Sequence, residues 1–363
     1  MQTILFIYKG YFSYLPPFQA LVDTLLESGQ YKLKIICSED EPDMDEKYKH
    51  PNLEFIHYYS IEPRTSIVKK LRNRFKSTYV FKKRVKHDLN TLDYDILWVI
   101  HERTAIGMRN ILRGRKYILT SYELRAYDEP ELMQPLVEPM RNAVVNVQCE
   151  YNRSWIARMI YGLKDTPITL PNKPYRHPEK RNLENELLKN DGRKIILYQG
   201  VLTRERNLDG MCSAISKLDG FKLVLMGKPT EYLHELQQKY DCVEYLGFVK
   251  SPGHLMITSN AYNGLVTYEP ENLDTIYCAP NKIWEYSGFG IPMIANQIPG
   301  LEYTIGMFNA GVCTDTDNID CIRDAIAKID SNYISFCENS YNLYKSCDTR
   351  KIVNEIIRQY QIK

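Results

Sequence analysis

One stretch of the chain, residues 275–300, has the pattern of a short helix followed by a buried strand. Pro280 suits the first helical position, because an N–H group there would have no partner within the helix. Gly288 and Gly290 favour the end of the helix, and the apolar run Ile291–Asn296 predicts a strand. Free N–H groups at a helix start bind anions. The stretch therefore predicts an α/β unit with an anion site at its helix start.

Three polar residues of this predicted helix share one face. Asn281, Lys282 and Glu285 are spaced at (i, i+4) and (i, i+3). A carboxylate one turn inside the helix can accept hydrogen bonds from sugar hydroxyls, while the N–H groups before it bind phosphate. Phosphate first and ribose second is the order in which a nucleotide-sugar would lie. An ordinary α/β helix with a surface glutamate is the structural alternative.

The letters PNKIWEYSGFGIPMIA, residues 280–295, resemble the donor-site segment of retaining nucleotide-sugar glycosyltransferases of the GT-B fold (glycosyltransferase family 4, group 1). The usual pattern of that family is PxKxxEYxAxGxPVIA. The resemblance implies that Glu285 holds the ribose hydroxyls of the donor. Many members carry a second acid eight positions earlier, which contacts the sugar. This chain has Tyr277 there, and an acid of the preceding loop, 269–274, is the candidate replacement.

Composition excludes several classes of protein. A length of 363 residues is natural for two domains, and 44% hydrophobic with 25% charged residues is typical of a soluble globular protein. A net charge of +2 disfavours a nucleic-acid binder. The first residues lack a signal-peptide pattern, and no apolar run is long enough to span a membrane. Nine cysteines without a CxxC pair fit reduced thiols. We therefore expect a cytoplasmic protein.

Two series of predicted strands alternate with helices, which predicts two Rossmann-like α/β/α domains. A proline-rich connector, 170–174, separates them. We expect an N-terminal, acceptor-side domain at 1–173 and a C-terminal, donor-binding domain at 174–345. The resemblance implies a GT-B arrangement, in which the two domains face each other across a cleft and the last helix, about 346–363, packs back on the first domain.

The second domain begins with a pattern suited to a diphosphate. The strand Lys194–Gln199 is followed by Gly200 and then by Arg204 and Arg206. A glycine turn lets backbone N–H groups approach phosphate, and arginine pairs with its oxygens. The family pattern here is GRLxxxKG, whose two cations hold the diphosphate. Arg206 matches the lysine, Val201 replaces the arginine, and Arg204 is the candidate to compensate.

In the first domain, two candidate catalytic residues follow predicted strands. His101 follows Tyr94–Ile100 and Glu123 follows Tyr117–Thr120, at the strand ends that face a ligand crevice. Related enzymes often place a histidine after the second of these strands, near the acceptor hydroxyl. Glu123 stands there instead, and a carboxylate can orient or deprotonate a hydroxyl. For His101 a structural role is the alternative. The resemblance also makes Gly10, predicted in a loop, a candidate for close donor or acceptor approach, and a plain turn is its alternative.

The segment Arg64–Lys86 contains ten Lys or Arg and no Asp or Glu, with apolar residues at roughly helical spacing. A basic amphipathic helix is typical of membrane-surface binding, where each basic residue contributes about 1 kcal/mol near anionic lipid. We therefore expect the enzyme to reach the inner face of a membrane as a peripheral protein. A solvated helix packed on its own domain is the alternative.

These patterns predict a glycosyltransferase that moves a sugar from a UDP- or GDP-sugar to a hydroxyl of a glycan or lipid-linked acceptor, in surface polysaccharide biosynthesis. Fixed cations and amides can stabilise the leaving diphosphate, so we expect neither a metal nor a cofactor. Retention of configuration follows from the resemblance alone. Two alternatives stay open: a nucleotide-sugar 2-epimerase of GT-B fold, and a catalytically degenerate donor-binding partner, suggested by Tyr277 and Val201.

Overall fold

The computed structural model describes residues 1–39, 44–60, 67–124, 130–182, 188 and 191–363. Only the backbone is described for residues 39, 44–45, 59–60, 67–77 and 130. The chain divides into two compact units, residues 1–175 with 348–363, and residues 176–347. Each unit is an α/β structure around one parallel sheet.

Parallel strands of the first unit form one sheet. They are β1 Gln2–Tyr11, β2 Tyr31–Glu39, β3 Leu53–Ser60, β4 Ile96–Ile100, β5 Ile118–Ser121, β6 Val145–Gln148 and β7 Ile168–Thr169. Their order across the sheet is β3-β2-β1-β4-β5-β6-β7. The helices that connect them are α1 Pro16–Glu27, α2 Met44–Lys47, α3 Ile67–Thr91, α4 Glu102–Leu112, α5 Pro130–Asn142 and α6 Tyr151–Tyr161.

The strand β1 is buried on both faces, which explains its continuous apolar sequence. Ile4 and Phe6 pack on one side of the sheet with residues of α1. Leu5 and Ile7 pack on the other side with residues of α3 and α4. Alternate residues of one strand therefore contribute to two separate cores.

The second unit repeats this architecture. Its strands are β8 Lys194–Gln199, β9 Phe221–Met226, β10 Val243–Tyr245, β11 Asn263–Val266, β12 Met293–Asn296 and β13 Gly311–Thr314. They pair in parallel in the order β10-β9-β8-β11-β12-β13. Its helices are α7 Asp209–Ile215, α8 Glu231–Lys239, α9 His254–Thr258, α10 Leu273–Ile276, α11 Asn281–Ser287, α12 Pro299–Leu301, α13 Ile319–Ser331 and α14 Tyr333–Ser346. The strand order reverses between β8 and β11, where open α/β sheets bind ligands.

The last helix, α15 Thr349–Ile362, belongs to the first unit. Its apolar face, which includes Val353 and Ile356, joins the core that contains α1. At its end, the Tyr360 hydroxyl donates to the Lys116 carbonyl at 3.2 Å, and the Lys363 ammonium pairs with Asp165 at 2.6 Å. The chain therefore completes its first unit after it has built the second.

Two local predictions differ from the structure. Pro280 is the N-cap of α11 and not its first residue, because its ψ of 138° is extended and helical angles begin at Asn281. Gly10 lies within β1 and not in a loop after it. A Cβ added at Gly10 would lie 2.5 Å from the Tyr8 ring, so the glycine makes room for a neighbouring side chain.

The basic segment Arg64–Lys86 overlaps α3, whose backbone is helical from Ile67. Residues 64–66 and the side chains of 67–77 lie outside the described residues, and the membrane prediction falls largely on them. Within the described part of the chain, no helix is both long and apolar enough to cross a bilayer.

Candidate functional site

The predicted donor site of the second unit forms around the end of β8. Gly200 follows that strand with a φ of +134°, a conformation that favours glycine. A Cβ at Gly200 would lie 3.6 Å from the Lys282 Nζ, so the turn after β8 and the helix α11 meet here. Across the turn, a Cβ at Gly227 would lie 2.0 Å from the Gly200 carbonyl oxygen. The two glycines therefore let backbone and side-chain polar groups come close together.

Lys282 is a buried amine without a hydrogen-bond partner among the described residues. Its side chain is only 7% exposed, and its Nζ has no hydrogen-bond partner among the residues that the structure describes. The Nζ lies 3.9 Å from the centroid of the Tyr198 ring. Burial, together with the nearby Arg206, lowers the pKa of Lys282 to about 7, and Glu285 opposes that shift. A buried amine of this kind is stabilised as an ammonium only when an anion arrives.

A second cation approaches the same place. Arg206 ends a short 3₁₀ turn, Arg204–Arg206, and its guanidinium carbon lies 4.2 Å from the centroid of the Tyr268 ring. The Lys282 Nζ lies 5.6 Å from that same centroid. Two like charges on one ring repel each other, so the arrangement is suited to an anion that neutralises both.

Glu285 is held by other side chains at both carboxylate oxygens. Its Oε1 lies 3.2 Å from the His254 Nε2, and its Oε2 accepts from the Gln199 side-chain amide. The orientation of that amide is set by Thr258, whose hydroxyl donates to the Gln199 Oε1 at 2.6 Å. The backbone carbonyl of Glu285 lies 2.9 Å from the His177 Nε2. The carboxylate therefore has a defined orientation, while its side chain is still 15% exposed.

The structure thus brings together Gly200, Arg206, Lys282 and Glu285, and it places other predicted residues differently. The Arg204 guanidinium pairs with Glu235 on α8 and lies 5.3 Å from the Tyr232 ring centroid. It is 67% exposed. The side chain predicted to complete the cationic pair is therefore engaged on the surface.

The other predicted donor residues lie at the ends of short helices. Asn281 begins α11, and Tyr277 is the C-cap of α10. The backbone of Tyr277 packs closely on Gly300, where an added Cβ would lie 2.8 Å from the Tyr277 carbonyl carbon. Among the acids of the loop before α10, Glu269 is hydrogen-bonded to Asn207, and burial and the charge of Asp317 raise its pKa.

In the first unit, the two candidate catalytic residues lie near a buried acid that the sequence did not single out, Glu102. His101 is the N-cap of α4 at an unusual φ of 77°, and its Nδ1 lies 3.3 Å from the Glu102 Oε1. Glu102 is 1% exposed. Burial raises its pKa, and the charge of Glu123 raises it further. The backbone N–H of Tyr122 donates to the Glu102 Oε2 at 3.4 Å. His101, Glu102 and Glu123 therefore form one cluster at the ends of β4 and β5.

A cavity of about 250 Å³ also opens in the first unit. Its lining includes Arg141, Gly162, Asp165 and Lys363. None of the residues predicted for donor binding or catalysis lines it. Three of these residues are engaged with protein groups, since Lys363 pairs with Asp165 and the Arg141 Nε donates to the Tyr161 carbonyl.

Sequence reasoning gave no role to four residues around these clusters, Glu102, His177, Gln199 and His254. Gln199 ends the predicted strand before Gly200, so its position at a strand end was an available signal. His254 and His177 come from segments without a recognisable motif, and only the fold brings them to Glu285.

Comparison with known families agrees with this geometry. Residues 179–346 match one family, described as Glycosyl transferases group 1. This match covers most of the second unit, and it confirms the predicted enzyme class, a glycosyltransferase. A comparison with curated proteins found no match.

Solved structures resemble the whole chain. Sucrose-phosphate synthase from Thermosynechococcus elongatus has a TM-score of 0.73 at 15% identity, over 99% of this chain and 98% of that one. Anabaena Alr3699/HepE in complex with UDP and glucose has a TM-score of 0.70 at 13% identity, over 99% and 100%. WaaG, a glycosyltransferase involved in lipopolysaccharide biosynthesis, has a TM-score of 0.63 at 12% identity, over 97% and 98%. These similarities confirm the predicted GT-B fold class of two Rossmann-like units.

Proposed function

We propose that this glycosyltransferase transfers a sugar from a nucleotide-diphosphate donor to a hydroxyl group. The observation that carries the proposal is the buried amine of Lys282. Its Nζ has no hydrogen-bond partner in the part of the chain that the structure describes, and it lies with Arg206 on the face of Tyr268. A nucleotide-sugar supplies two phosphates for these cations. Glu285, on the same helix as Lys282, supplies acceptors for ribose hydroxyls. UDP is our preferred nucleotide, because the similar HepE structures contain UDP and UDP-glucose.

The chemistry requires stabilisation of the leaving diphosphate while the sugar becomes positively charged. In our proposal Lys282 and Arg206 neutralise that diphosphate without a metal, and Gly200 leaves room for it beside the Lys282 Nζ. Fixed charges in a buried site need no reorganisation during the reaction, which makes them effective for transition-state stabilisation. Retention of configuration rests on the resemblance of residues 280–295 to retaining enzymes.

The acceptor is proposed to be a hydroxyl of a glycan or lipid-linked glycan in surface polysaccharide biosynthesis. Support comes from two similar structures, WaaG and the lipopolysaccharide outer core galactosyltransferase WaaB. His101 and Glu123 are the proposed acceptor-side residues, because they form one cluster with Glu102 at the ends of two strands. The segment Arg64–Lys86 is the proposed contact with anionic lipid in the cytoplasm.

A binding experiment tests the donor site. Thermal shifts with a panel of UDP- and GDP-sugars are measured for the wild type, Glu285→Ala and Arg206→Ala, with the exposed Arg323→Ala as a matched control. A ligand present at about 100 times its Kd should stabilise the wild type by about 2.7 kcal/mol. We expect the shift to be reduced in the two site variants and retained in the control. Equal shifts in all four proteins would place the donor elsewhere.

A product experiment tests the reaction. The donor that gives the largest shift is incubated with and without glycan acceptors, and nucleotide and sugar products are separated. Released nucleoside diphosphate together with glycosylated acceptor is the expected result. Conversion of the donor into an epimer without acceptor would contradict transfer and identify a 2-epimerase.

A further inference from the structure

The carboxylate of Glu285 is oriented by a side chain from a separate helix. His254, the first residue of α9, places its Nε2 3.2 Å from the Glu285 Oε1. The Gln199 amide binds the other oxygen, Oε2. Since His254 also approaches to within an ion-pair distance, the two groups together fix both the position and the plane of the carboxylate.

These contacts leave the carboxylate able to bind a ligand. Each oxygen of an ionised carboxylate has two lone pairs. The Gln199 amide uses one on Oε2, and His254 contacts only one side of Oε1, so at least one remains on each oxygen. Two neighbouring acceptors in a fixed plane match the two adjacent hydroxyls of a ribose. The Glu285 side chain is 15% exposed, which leaves an edge for such a contact.

The His254 ring contacts Glu285 through one of its two nitrogens. Its Nε2 lies 3.2 Å from the Glu285 Oε1, whereas its Nδ1 is buried and has no hydrogen-bond partner in the described part of the chain. His254 thus directs one ring nitrogen at one carboxylate oxygen.

We propose that His254 is a positioning residue for ribose recognition, acting through Glu285. It holds the carboxylate so that the 2′- and 3′-hydroxyls of a nucleoside diphosphate can both donate to it. This inference rests on the proposed function, because it assumes that Glu285 binds the ribose of the donor. His254 lies outside the segments 200–206 and 280–295, so a third segment of the chain contributes to the specificity of the site.

The test compares UDP with 2′,3′-dideoxyuridine diphosphate, which lacks both hydroxyls, by calorimetry on the full chain. The ratio of the two Kd values measures ribose recognition. We expect His254→Ala to weaken UDP binding about tenfold. Binding of the dideoxy compound should not change, since only UDP has hydroxyls to donate to the carboxylate that His254 holds. His254→Gln keeps an amide donor and should retain most of the ratio. His234→Ala, which removes an exposed histidine of α8, is the control.

A double-mutant cycle separates positioning from a general structural effect. In a Glu285→Gln background, His254→Ala should not weaken UDP binding further, because the carboxylate that His254 positions has already been removed. The inference would be overturned if His254→Ala raised the Kd values of UDP and the dideoxy compound equally, so that their ratio stayed unchanged. Failure of the proposed function has a different signature, in which Glu285→Gln leaves the ratio unchanged or the wild type binds neither UDP nor GDP.

Discussion

Each unit contains a glutamate beside a histidine, and the two pairs differ in what surrounds them. Glu285 lies 3.2 Å from His254, and Glu102 lies 3.3 Å from His101. The Glu102 side chain is 1% exposed, whereas that of Glu285 is 15% exposed. Glu102 has a second acid nearby, Glu123, and Glu285 lies near a cation, Lys282. A carboxyl–imidazole distance alone therefore does not distinguish a ligand site from a structural pair.

The distinction lies in accessibility and charge balance. Glu102, the acid of the first pair, is buried and its pKa is raised, so it favours binding a proton over binding a ligand. The acid of the second pair keeps free lone pairs at an exposed edge. Beside it, the Nζ of Lys282 makes no hydrogen bond to any residue that the structure describes.

Lys282→Met should separate function from stability. Removal of one fixed charge from the diphosphate site is expected to lower kcat/KM by about 10²–10³. The same change should stabilise the fold, because it removes a buried amine that has no hydrogen-bond partner in the described residues. Steady-state kinetics and urea unfolding measure the two effects. The pKa of Lys282 is lowered from 10.5 to about 7, so the folded protein binds fewer protons than the unfolded chain between those values. The gain in stability should therefore be largest below pH 7 and smaller by about 1–3 kcal/mol at pH 9.

Lys222→Met is the matched control for that experiment. Lys222 is also buried, at 1% exposure, but its ammonium lies 3.1 Å from Glu244 and 3.5 Å from Asp191. Its replacement leaves those acids without a partner and should destabilise the fold by about 1 kcal/mol or more. Stability changes of the same sign in the two variants would contradict the assignment of Lys282 as an uncompensated charge.

Donor affinity should depend on pH through the same lysine. Above pH 7 the free protein loses the Lys282 proton, and a bound diphosphate restores it by raising the pKa of the amine. Binding then takes up a proton, so the Kd for UDP should rise by up to about tenfold per pH unit between pH 7 and 9. Calorimetry in buffers of different ionisation enthalpy measures the uptake. Lys282→Arg keeps its charge and should flatten the profile. An equally steep profile in that variant would assign the proton to another group.

Glu102→Gln should behave as a structural substitution. Burial raises the pKa of Glu102, so the folded state binds the Glu102 proton more tightly than the unfolded chain does. The free energy of unfolding contributed by Glu102 therefore falls as the pH rises above the ordinary pKa of a glutamate. Gln cannot ionise and so avoids a buried negative charge. The substitution should therefore stabilise the protein by about 1–2 kcal/mol at pH 8, with little effect near pH 4.5. Urea unfolding at both pH values measures this. The Kd for UDP should not change. Destabilisation at pH 8 would show that Glu102 is stabilised as an anion.

The fold followed from local patterns, because strands such as β1 are buried on both faces and their sequence is continuously apolar. Lys282 and Glu285 were placed together by helical spacing alone. His254 was not predictable, because 31 residues and several elements separate it from Glu285 along the chain. The direction of Arg204 was not predictable either. A 3₁₀ turn has three residues per turn, so Arg204 and Arg206 point to different sides of it.

Arg204→Ala should have the smallest effect, and it tests that difference in direction. Arg204 and Glu235 form an exposed pair, at 67% and 51% exposure, which contributes about 0.2–1 kcal/mol to stability. The Kd for UDP should change less than about twofold, since loss of a charge remote from the phosphates acts only through screened solvent. Arg206→Ala, two residues away, should weaken UDP at least about tenfold, because it removes a charge-assisted contact. Comparable losses of UDP affinity in both variants would mean that Arg204 leaves Glu235 when the diphosphate binds. Arg204 would then replace the family arginine whose position Val201 occupies.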